Sequence, residues 1–156
     1  MGSKLYWLIK SEPDVYGLEQ LKNDGRTGWS GVRNYQARNF MRDSMKMGDG
    51  VLYYHSNAKP TAIMGIAEVC REGYPDPTQF DSKSEYFDPK SKPGSPTWIM
   101  IDVKFVEEFK RPVTLFELKT KKGLEKMMLT QKGSRLSVQP VAPAEWEIIC
   151  SMPRHP

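Results

Sequence analysis

The segment from Leu5 to Lys10 places the strongest constraint on how this chain can fold. It is rich in aromatic and branched side chains, and apolar residues occupy both of its alternating positions. A strand of this kind has to be covered on both faces, so we predict that it lies inside a sheet with packed layers on either side. A chain of 156 residues fills one hydrophobic core, and we expect a single domain over residues 1–156.

Three further strands are predicted in the middle of the chain. Val51–His55 and Ala62–Cys70 are apolar runs joined by a polar loop, and Gly65 in the second run predicts a bulge or a close backbone approach. Trp98–Val106 alternates between apolar and polar residues, which predicts a strand with one face exposed to water.

Short helices are predicted in the connections between these strands. Apolar residues at helical spacing predict a helix over Tyr35–Met45, with Asn34 as its N-cap. Other helices are expected over Gly17–Asn23, from a capping box at Thr114, and from Pro143. This arrangement predicts an α+β domain with a curved mixed sheet or a partly closed barrel.

The segment Gly73–Pro96 breaks this pattern. It contains five prolines and shows no periodicity, and unstructured segments of this length inside a domain are often lids or binding loops. Its aromatic residues either pin the loop to the body of the protein, or one of them closes over a ligand. They are Tyr74, Phe80, Tyr86 and Phe87.

The chain carries few of the side chains that an enzyme or a metal site needs. Histidine occurs only at His55 and His155, and the two cysteines, Cys70 and Cys150, are far apart. No zinc-ligand spacing, phosphate-binding glycine loop, dinucleotide fingerprint or nucleophile elbow is found. We therefore predict a binding module, with no catalytic residues, no cofactor and no metal.

Charge and hydropathy restrict the compartment and the partner. No apolar run is long enough to span a bilayer, and the first ten residues lack a cleavable signal pattern. We expect a cytoplasmic protein with no membrane partner, whose cysteines are buried reduced thiols. The net charge of +4 suits a polyanionic partner, although many proteins of this charge bind no nucleic acid.

Five stretches of the chain resemble signatures of the EVE domain, a member of the PUA-like group. They run in the family's order along nearly the whole chain. The resemblance implies a PUA-like mixed-strand pseudo-barrel decorated with short helices, and a nucleic-acid partner, DNA or RNA, that carries a modified base. The stretches are Trp7–Pro13 (WLIKSEP), Gly28–Phe40 (GWSGVRNYQARNF), Tyr53–Asn57 (YYHSN), Tyr74–Phe80 (YPDPTQF) and Arg135–Pro140 (RLSVQP).

More remotely, the chain is similar to the YTH domain, which holds N6-methyladenine of RNA in an aromatic cage. Lys10 and Ser11 match the pair that ends the first strand beside that pocket. Trp29 matches the first cage tryptophan, and Ser30 the serine after it. Glu12 stands where the YTH reader has asparagine, so the same base preference does not carry over.

The resemblance places Trp98 roughly in the region of a second cage tryptophan, although the neighbouring sequence differs. Trp29 lies in a turn-rich stretch, where it is either a loop anchor in the core or a platform on which a base stacks. Glu12 is either a solvated acid or a group that accepts hydrogen from an exocyclic amine, which would favour cytosine- or adenine-type ligands.

Two further groups of residues are candidates for contacts with nucleic acid. His55, Ser56 and Asn57 end a strand and either contact a base or only shape the turn. Asn34 and Tyr35 either cap the helix or line the pocket. The candidates for phosphate contact, each of which can instead be an ordinary solvated side chain, are Arg33, Arg38, Arg42, Lys46, Arg135 and Ser137.

The resulting prediction is a base-binding pocket in a nucleic-acid reader. An alternative is a sensor for a free modified nucleoside or related metabolite, or an accessory domain in RNA modification. The predicted pocket consists of Lys10, Ser11, Glu12, Trp29, Ser30, Asn34, Tyr35, His55, Ser56 and Asn57.

Overall fold

A single mixed sheet runs through the protein, which we describe from a computed structural model over residues 4–132 and 135–154. His155 lies outside this range. The strands are β1 (Tyr6–Ser11), β2 (Arg26–Trp29), β3 (Gly50–His55), β4 (Ala62–Pro75), β5 (Ile99–Thr114) and β6 (Val138–Val141). The helices are α1 (Pro13–Tyr16), α2 (Leu18–Asp24), α3 (Tyr35–Asp43), α4 (Leu115–Thr120) and α5 (Pro143–Ser151). Short 3-10 turns cover Pro77–Phe80, Met128–Thr130 and Met152–Arg154.

The prediction that the first strand is covered on both faces is confirmed. The six strands lie in the order β2-β5-β4-β3-β1-β6. β1 pairs in parallel with β3 and antiparallel with β6. Trp7 and Ile9 belong to one core cluster, with α2 and α3, whereas Leu8 belongs to a second, with α4 and α5. The sheet therefore separates two hydrophobic layers. The predicted α+β class is confirmed, and the sheet does not close into a complete barrel.

The third predicted strand differs from its sequence pattern. β5 runs from Ile99 to Thr114, and Met100 and Asp102, expected on a wet face, are buried. β2 and β4 lie on either side of β5, and their side chains satisfy the buried carboxylate. Arg26 pairs with Asp102 at 2.9 Å, and the Tyr74 hydroxyl donates to it. The alternation of apolar and polar residues thus predicts which face of β5 each side chain points to, but not whether that face is exposed to water.

Local backbone predictions hold at two sites. The pairing of β4 with β3 and β5 shifts beside Gly65, and a β-carbon there would collide with the backbone carbonyl oxygen of Glu107 in β5. The predicted bulge with close backbone approach is confirmed.

The Thr114 hydroxyl accepts from the Glu117 amide at 3.2 Å, and the Glu117 carboxylate accepts from the Thr114 amide at 3.2 Å, which confirms the capping box.

Several predicted boundaries need correction. The predicted helix over Gly17–Asn23 is α2, preceded by the separate short helix α1. The first residues of Gly73–Pro96 still belong to β4, and a 3-10 turn follows at Pro77–Phe80. β2 and β6 were not predicted, because glycine and proline interrupt their patterns. The two cysteines are not joined in a disulfide, but they are half-buried rather than buried as predicted. No helix in the described part of the chain combines the length and apolar character that a bilayer crossing requires.

Candidate functional site

A cavity of about 620 Å³ opens at the carboxyl end of β1. Its volume is within the range of sites that hold small ligands. The strand ends of β1 and β2, helix α1 and the loop that leads into α3 form its walls. The cavity is lined by Lys10, Ser11, Glu12, Val15, Tyr16, Thr27, Gly28, Trp29, Ser30, Gly31, Val32, Arg33, Asn34, Tyr86 and Ser137.

Most of the predicted pocket residues meet at this cavity. The backbone amide of Lys10 donates to the carbonyl of Ser137 at 2.9 Å, which joins the end of β1 to the start of β6. Sequence order alone does not bring these segments together, because more than a hundred residues separate them. The predicted residues that line the cavity are Lys10, Ser11, Glu12, Trp29, Ser30, Arg33, Asn34 and Ser137.

Trp29 is the last residue of β2, and it both packs on the core and lines the cavity. Its backbone pairs with Ile101 of β5, and its ring meets the ring of Tyr53 edge to face at 5.6 Å. The indole packs against the core cluster that contains Tyr53, yet it is only partly buried and lines the cavity. The core fixes the ring while part of its surface stays available for stacking.

Ser11 is positioned by a shared backbone acceptor. Its hydroxyl donates to the carbonyl of Tyr16 at 2.6 Å, and the Tyr53 hydroxyl donates to the same carbonyl, also at 2.6 Å. Burial raises the pKa of Tyr53, so its phenol keeps the proton that this bond requires. Because the Ser11 proton is engaged, its oxygen offers lone pairs rather than a proton to a ligand.

Glu12 caps the start of α1 and carries an exposed carboxylate at the cavity. Its carbonyl accepts from the amides of Val15 and Tyr16 at 2.9 Å. The side-chain amide of Asn57 donates to Glu12 Oε1 at 2.5 Å. Oε2 has no hydrogen-bond partner among the described residues and can accept a hydrogen from a ligand. Asn57 does not line the cavity, so it positions the carboxylate instead of contacting a ligand there.

Three other predicted pocket residues lie outside the cavity. His55 Nε2 accepts from the Leu18 amide at 3.1 Å, which requires a neutral ring, and burial lowers the pKa of His55 accordingly. The Ser56 amide bonds to the Ser11 carbonyl at 2.9 Å. The Tyr35 ring stacks on Trp98 at 4.9 Å. Each is used within the fold, and none lines the cavity. Asn34 is confirmed as the N-cap of α3, since its side chain accepts from the Ala37 amide at 3.0 Å.

Arg33, which we predicted to contact phosphate, lines the cavity and also holds the long loop in place. It pairs with Asp76, whose side chain is fully buried, at 3.1 Å. It also donates to the Thr78 hydroxyl at 2.9 Å and to the Tyr86 carbonyl at 2.8 Å. Because these acceptors already engage the guanidinium, Arg33 shapes the cavity rim rather than offering an open cation.

Asp76 is the centre of this cluster. Burial opposes the charge of its carboxylate, but hydrogen bonds from Thr78, the Gly31 amide and Arg33 outweigh that effect and hold its pKa below the usual value. The Gly31 amide donates to it at 2.8 Å, and Thr78 donates from both its amide at 2.8 Å and its hydroxyl at 2.6 Å. The cluster ties the loop before α3 to the segment after β4.

Two aromatic residues of the cavity, Tyr16 and Tyr86, were not singled out from the sequence. Tyr16 was not considered, and Tyr86 lies in the long loop. Tyr86 was one of four aromatic residues in the long loop, and the sequence offers no signal that distinguishes it from the others. Gly31 has a φ of +83°, and a β-carbon there would lie 2.9 Å from the Tyr86 ring. The ring therefore lies against the glycine at the cavity edge, and the structure requires glycine at position 31.

Trp98, placed by the resemblance near a second cage position, lies outside the cavity. It is only 5% exposed, and its indole nitrogen donates to Asp88 at 2.8 Å. The guanidinium of Arg33 lies 5.2 Å from the centre of its ring. Protein groups thus occupy the surroundings of Trp98, and the aromatic rings at the cavity are Trp29, Tyr16 and Tyr86.

The basic residues predicted along α3 all have partners within the protein. Arg42 pairs with Asp43 at 2.8 Å, and Lys46 with Glu72 at 3.8 Å. Arg38 donates to the Thr97 carbonyl at 2.8 Å. None of them lines the cavity. Exposed ion pairs contribute only about 0–1 kcal/mol, but they do reduce the local positive field.

Arg135 lies at a second cavity, of about 530 Å³, which shares Lys10 with the first. Burial lowers the pKa of Lys10, because partial removal from water penalises its ammonium group.

Within residues 4–132 and 135–154, no cluster of three or more His, Cys, Asp or Glu side chains is arranged to hold a metal ion. The side chains that line the two cavities can provide stacking, hydrogen bonding and charge attraction.

The mixed sheet between two helical layers, with an aromatic cavity where β1 ends, defines a PUA-like α+β domain. The model of the family described as EVE domain matches residues 5–152, and the chain belongs to this family. Thymocyte nuclear protein 1 of Mus musculus is 42% identical over 94% of this chain and 73% of its own length.

Solved structures agree with this assignment. A crystal structure of a protein from Pseudomonas putida is 47% identical, with a TM-score of 0.91 over 95% of this chain and 99% of that chain. The human THYN1 protein, crystallised in complex with 5-methylcytosine containing DNA, is 40% identical, with a TM-score of 0.91 over 98% of this chain and 99% of that chain.

Proposed function

We propose that this protein is a non-enzymatic reader of DNA that carries a modified cytosine, with 5-methylcytosine as the first candidate. The observation that carries the proposal is the cavity at the end of β1, where the Trp29 ring and the Glu12 carboxylate line the same space. The complex of the human THYN1 protein with 5-methylcytosine containing DNA supports the choice of base and polymer.

The cavity can recognise such a base by two separate contacts. Stacking on Trp29 would contribute about 1–3 kcal/mol and accept any base. Glu12 Oε2 can accept a hydrogen from the N4 amine of cytosine, whereas thymine presents a carbonyl oxygen at that position. Since thymine also carries a 5-methyl group, Glu12 is the residue that would separate 5-methylcytosine from thymine.

The methyl group itself provides only modest discrimination. Burying one methyl contributes about 0.8 kcal/mol, which corresponds to about a fourfold preference over cytosine. The base must also leave the helical stack to enter the cavity, and this costs a few kcal/mol in a duplex. We therefore expect the tightest binding to single-stranded or mismatched sites.

The test is fluorescence anisotropy with oligonucleotides that differ at one position, which carries 5-methylcytosine, cytosine or thymine. Trp29→Ala should weaken binding to the 5-methylcytosine oligonucleotide by about 5- to 150-fold, because the stacking contribution is lost. Phe116→Ala is the matched control, since Phe116 is 77% exposed and lies outside both cavities. If Trp29→Ala bound the 5-methylcytosine oligonucleotide as tightly as wild type does, the proposal would be wrong.

Further comparisons separate this proposal from its alternatives. Free 5-methyldeoxycytidine should stabilise the protein much less than the matching oligonucleotide in a thermal-shift assay, and equal stabilisation would favour a nucleoside sensor. RNA of the same sequence should bind more weakly than DNA. The cytoplasmic location stays a prediction that cell fractionation would test.

A further inference from the structure

The second cavity has a different character from the first. Its floor is apolar, formed by Tyr54, which is 3% exposed, together with Leu115 and Leu129. The Lys10 ammonium lies 5.9 Å from the centre of the Tyr54 ring. The remaining wall is built from the 3-10 turn after Met127 and the approach to β6. Lys10 therefore forms the boundary between the two cavities.

The rim of the second cavity carries positive charge without a compensating acid. Lys119, Lys132 and Arg135 line it and are exposed, and none of the lining residues is a carboxylate. Among residues 4–132 and 135–154, no ion pair or hydrogen bond engages these three side chains. A concave surface of this kind concentrates a positive field and attracts anions.

The basic residues on α3 and just after its end provide a direct contrast. Arg42 and Lys46 each pair with a carboxylate, and Arg38 donates to a backbone carbonyl. An anion that approached α3 would have to compete with those partners, whereas at the second cavity it would not. The cations that can be used for binding thus lie beside β1 and β6 and not on α3.

We propose that the second cavity binds phosphate groups of the DNA strand that flank the base held in the first cavity. This inference rests on the proposed function, because it places the strand across Lys10, the residue common to both cavities. The nucleotide backbone then follows Lys119, Lys132 and Arg135, and contacts to phosphate are independent of sequence. The second cavity would consequently add affinity without base preference, whereas the preference for one base would come from the first cavity.

The experiment compares two triple variants that remove the same charge. The first is Lys119→Gln, Lys132→Gln and Arg135→Gln, and the second is Arg38→Gln, Arg42→Gln and Lys46→Gln. Affinity for 5-methylcytosine and cytosine oligonucleotides is measured by anisotropy over a series of salt concentrations. Thermal unfolding checks that both variants remain folded.

The first variant should lower the slope of log affinity against log salt by about 2.7 on duplex DNA, if each side chain contacts one phosphate. It should weaken modified and unmodified oligonucleotides by the same factor. The α3 variant should change the slope by less than about 1. A larger slope change in the α3 variant, or an unchanged slope in the first, would overturn the inference.

Failure of this inference is distinguishable from failure of the proposed function. If wild type prefers 5-methylcytosine and the first variant leaves the slope unchanged, the second cavity is not the phosphate site and the proposed function stands. If wild type shows no base preference while the slopes differ as expected, the phosphate site is supported and the proposed base reader is wrong.

Discussion

Two carboxylates near the Ser30–Asn34 loop show how the same chemical group can serve structure or be available for recognition. Asp76 is fully buried and accepts hydrogen bonds from Gly31, Arg33 and Thr78. Glu12 is exposed and accepts one side-chain hydrogen bond, from Asn57. A carboxylate with all its acceptor capacity used can only hold the fold, whereas one that keeps a free oxygen at a cavity can bind a ligand.

The same contrast holds for the two tryptophans near this loop. Trp98 is buried, with its indole nitrogen bonded to Asp88 and a guanidinium over its ring. Trp29 meets Tyr53 edge to face and still lines the cavity. We therefore expect the Asp76 cluster to stabilise the fold and, on the proposed function, the residues at the end of β1 to recognise the base.

The largest expected effect comes from breaking the Asp76 cluster. Asp76→Ala leaves the largely buried Arg33 guanidinium without its partner, and removal of one member of a buried pair costs about 3–5 kcal/mol. Urea unfolding measures the loss. Asp43→Ala is the matched control, because its exposed pair with Arg42 contributes at most about 1 kcal/mol. Equal losses in the two variants would contradict the contrast.

The pH dependence of unfolding tests the same cluster. The pKa of Asp76 is lower in the folded protein than its ordinary value of 3.8. The charged form is therefore favoured by folding, and its contribution is present above that ordinary value. It is lost as the pH falls from 3.8 through the folded-state pKa. Asp76→Ala should flatten the acid limb of the free energy of unfolding against pH, and an unchanged limb would contradict this assignment.

A smaller effect is expected where the cluster meets the cavity. Gly31→Ala introduces a β-carbon 2.9 Å from the Tyr86 ring at a φ of +83°. The backbone strain alone costs about 1–2 kcal/mol, and displacement of Tyr86 should also change affinity for the oligonucleotide. Gly48→Ala is the control, because Gly48 has a φ of +91° and no atom near its β-carbon. If both variants bound DNA as wild type does, Tyr86 would have no role at the cavity.

The smallest expected effect isolates base identity. Glu12→Gln keeps the shape of the side chain and replaces a charged acceptor with a neutral one. Charged hydrogen bonds are about twice as strong as neutral ones, so the preference for 5-methylcytosine over thymine should fall by about fivefold, with stability unchanged. Glu19→Gln, an exposed acid on α2, is the control. The same preference in wild type and Glu12→Gln would show that another group reads position 4 of the base.

Local sequence patterns and the family resemblance predicted where the site lies. They did not predict contacts between residues that are far apart in the sequence. The end of β1 and the N-cap Asn34 follow from patterns within a few residues, and the resemblance located Trp29. The Arg33–Asp76 pair joins residues 43 positions apart, and Asn57 reaches Glu12 across 45 positions. The spacing of the basic residues therefore predicted a charged face along the helix. It could not show that carboxylates and a backbone carbonyl already bind these side chains.

By itself, the sequence determined that β1 is covered on both faces, that a capping box begins at Thr114, and that the chain belongs among EVE domains. Only the tertiary structure decided which polar groups remain open to a ligand. Hydropathy and residue spacing are properties of neighbouring positions in the chain. Whether a carboxylate, an aromatic ring or a cation can still bind a ligand depends on the residues that folding brings next to it. Tyr86 over Gly31 and the open cations around the second cavity are both products of that assembly.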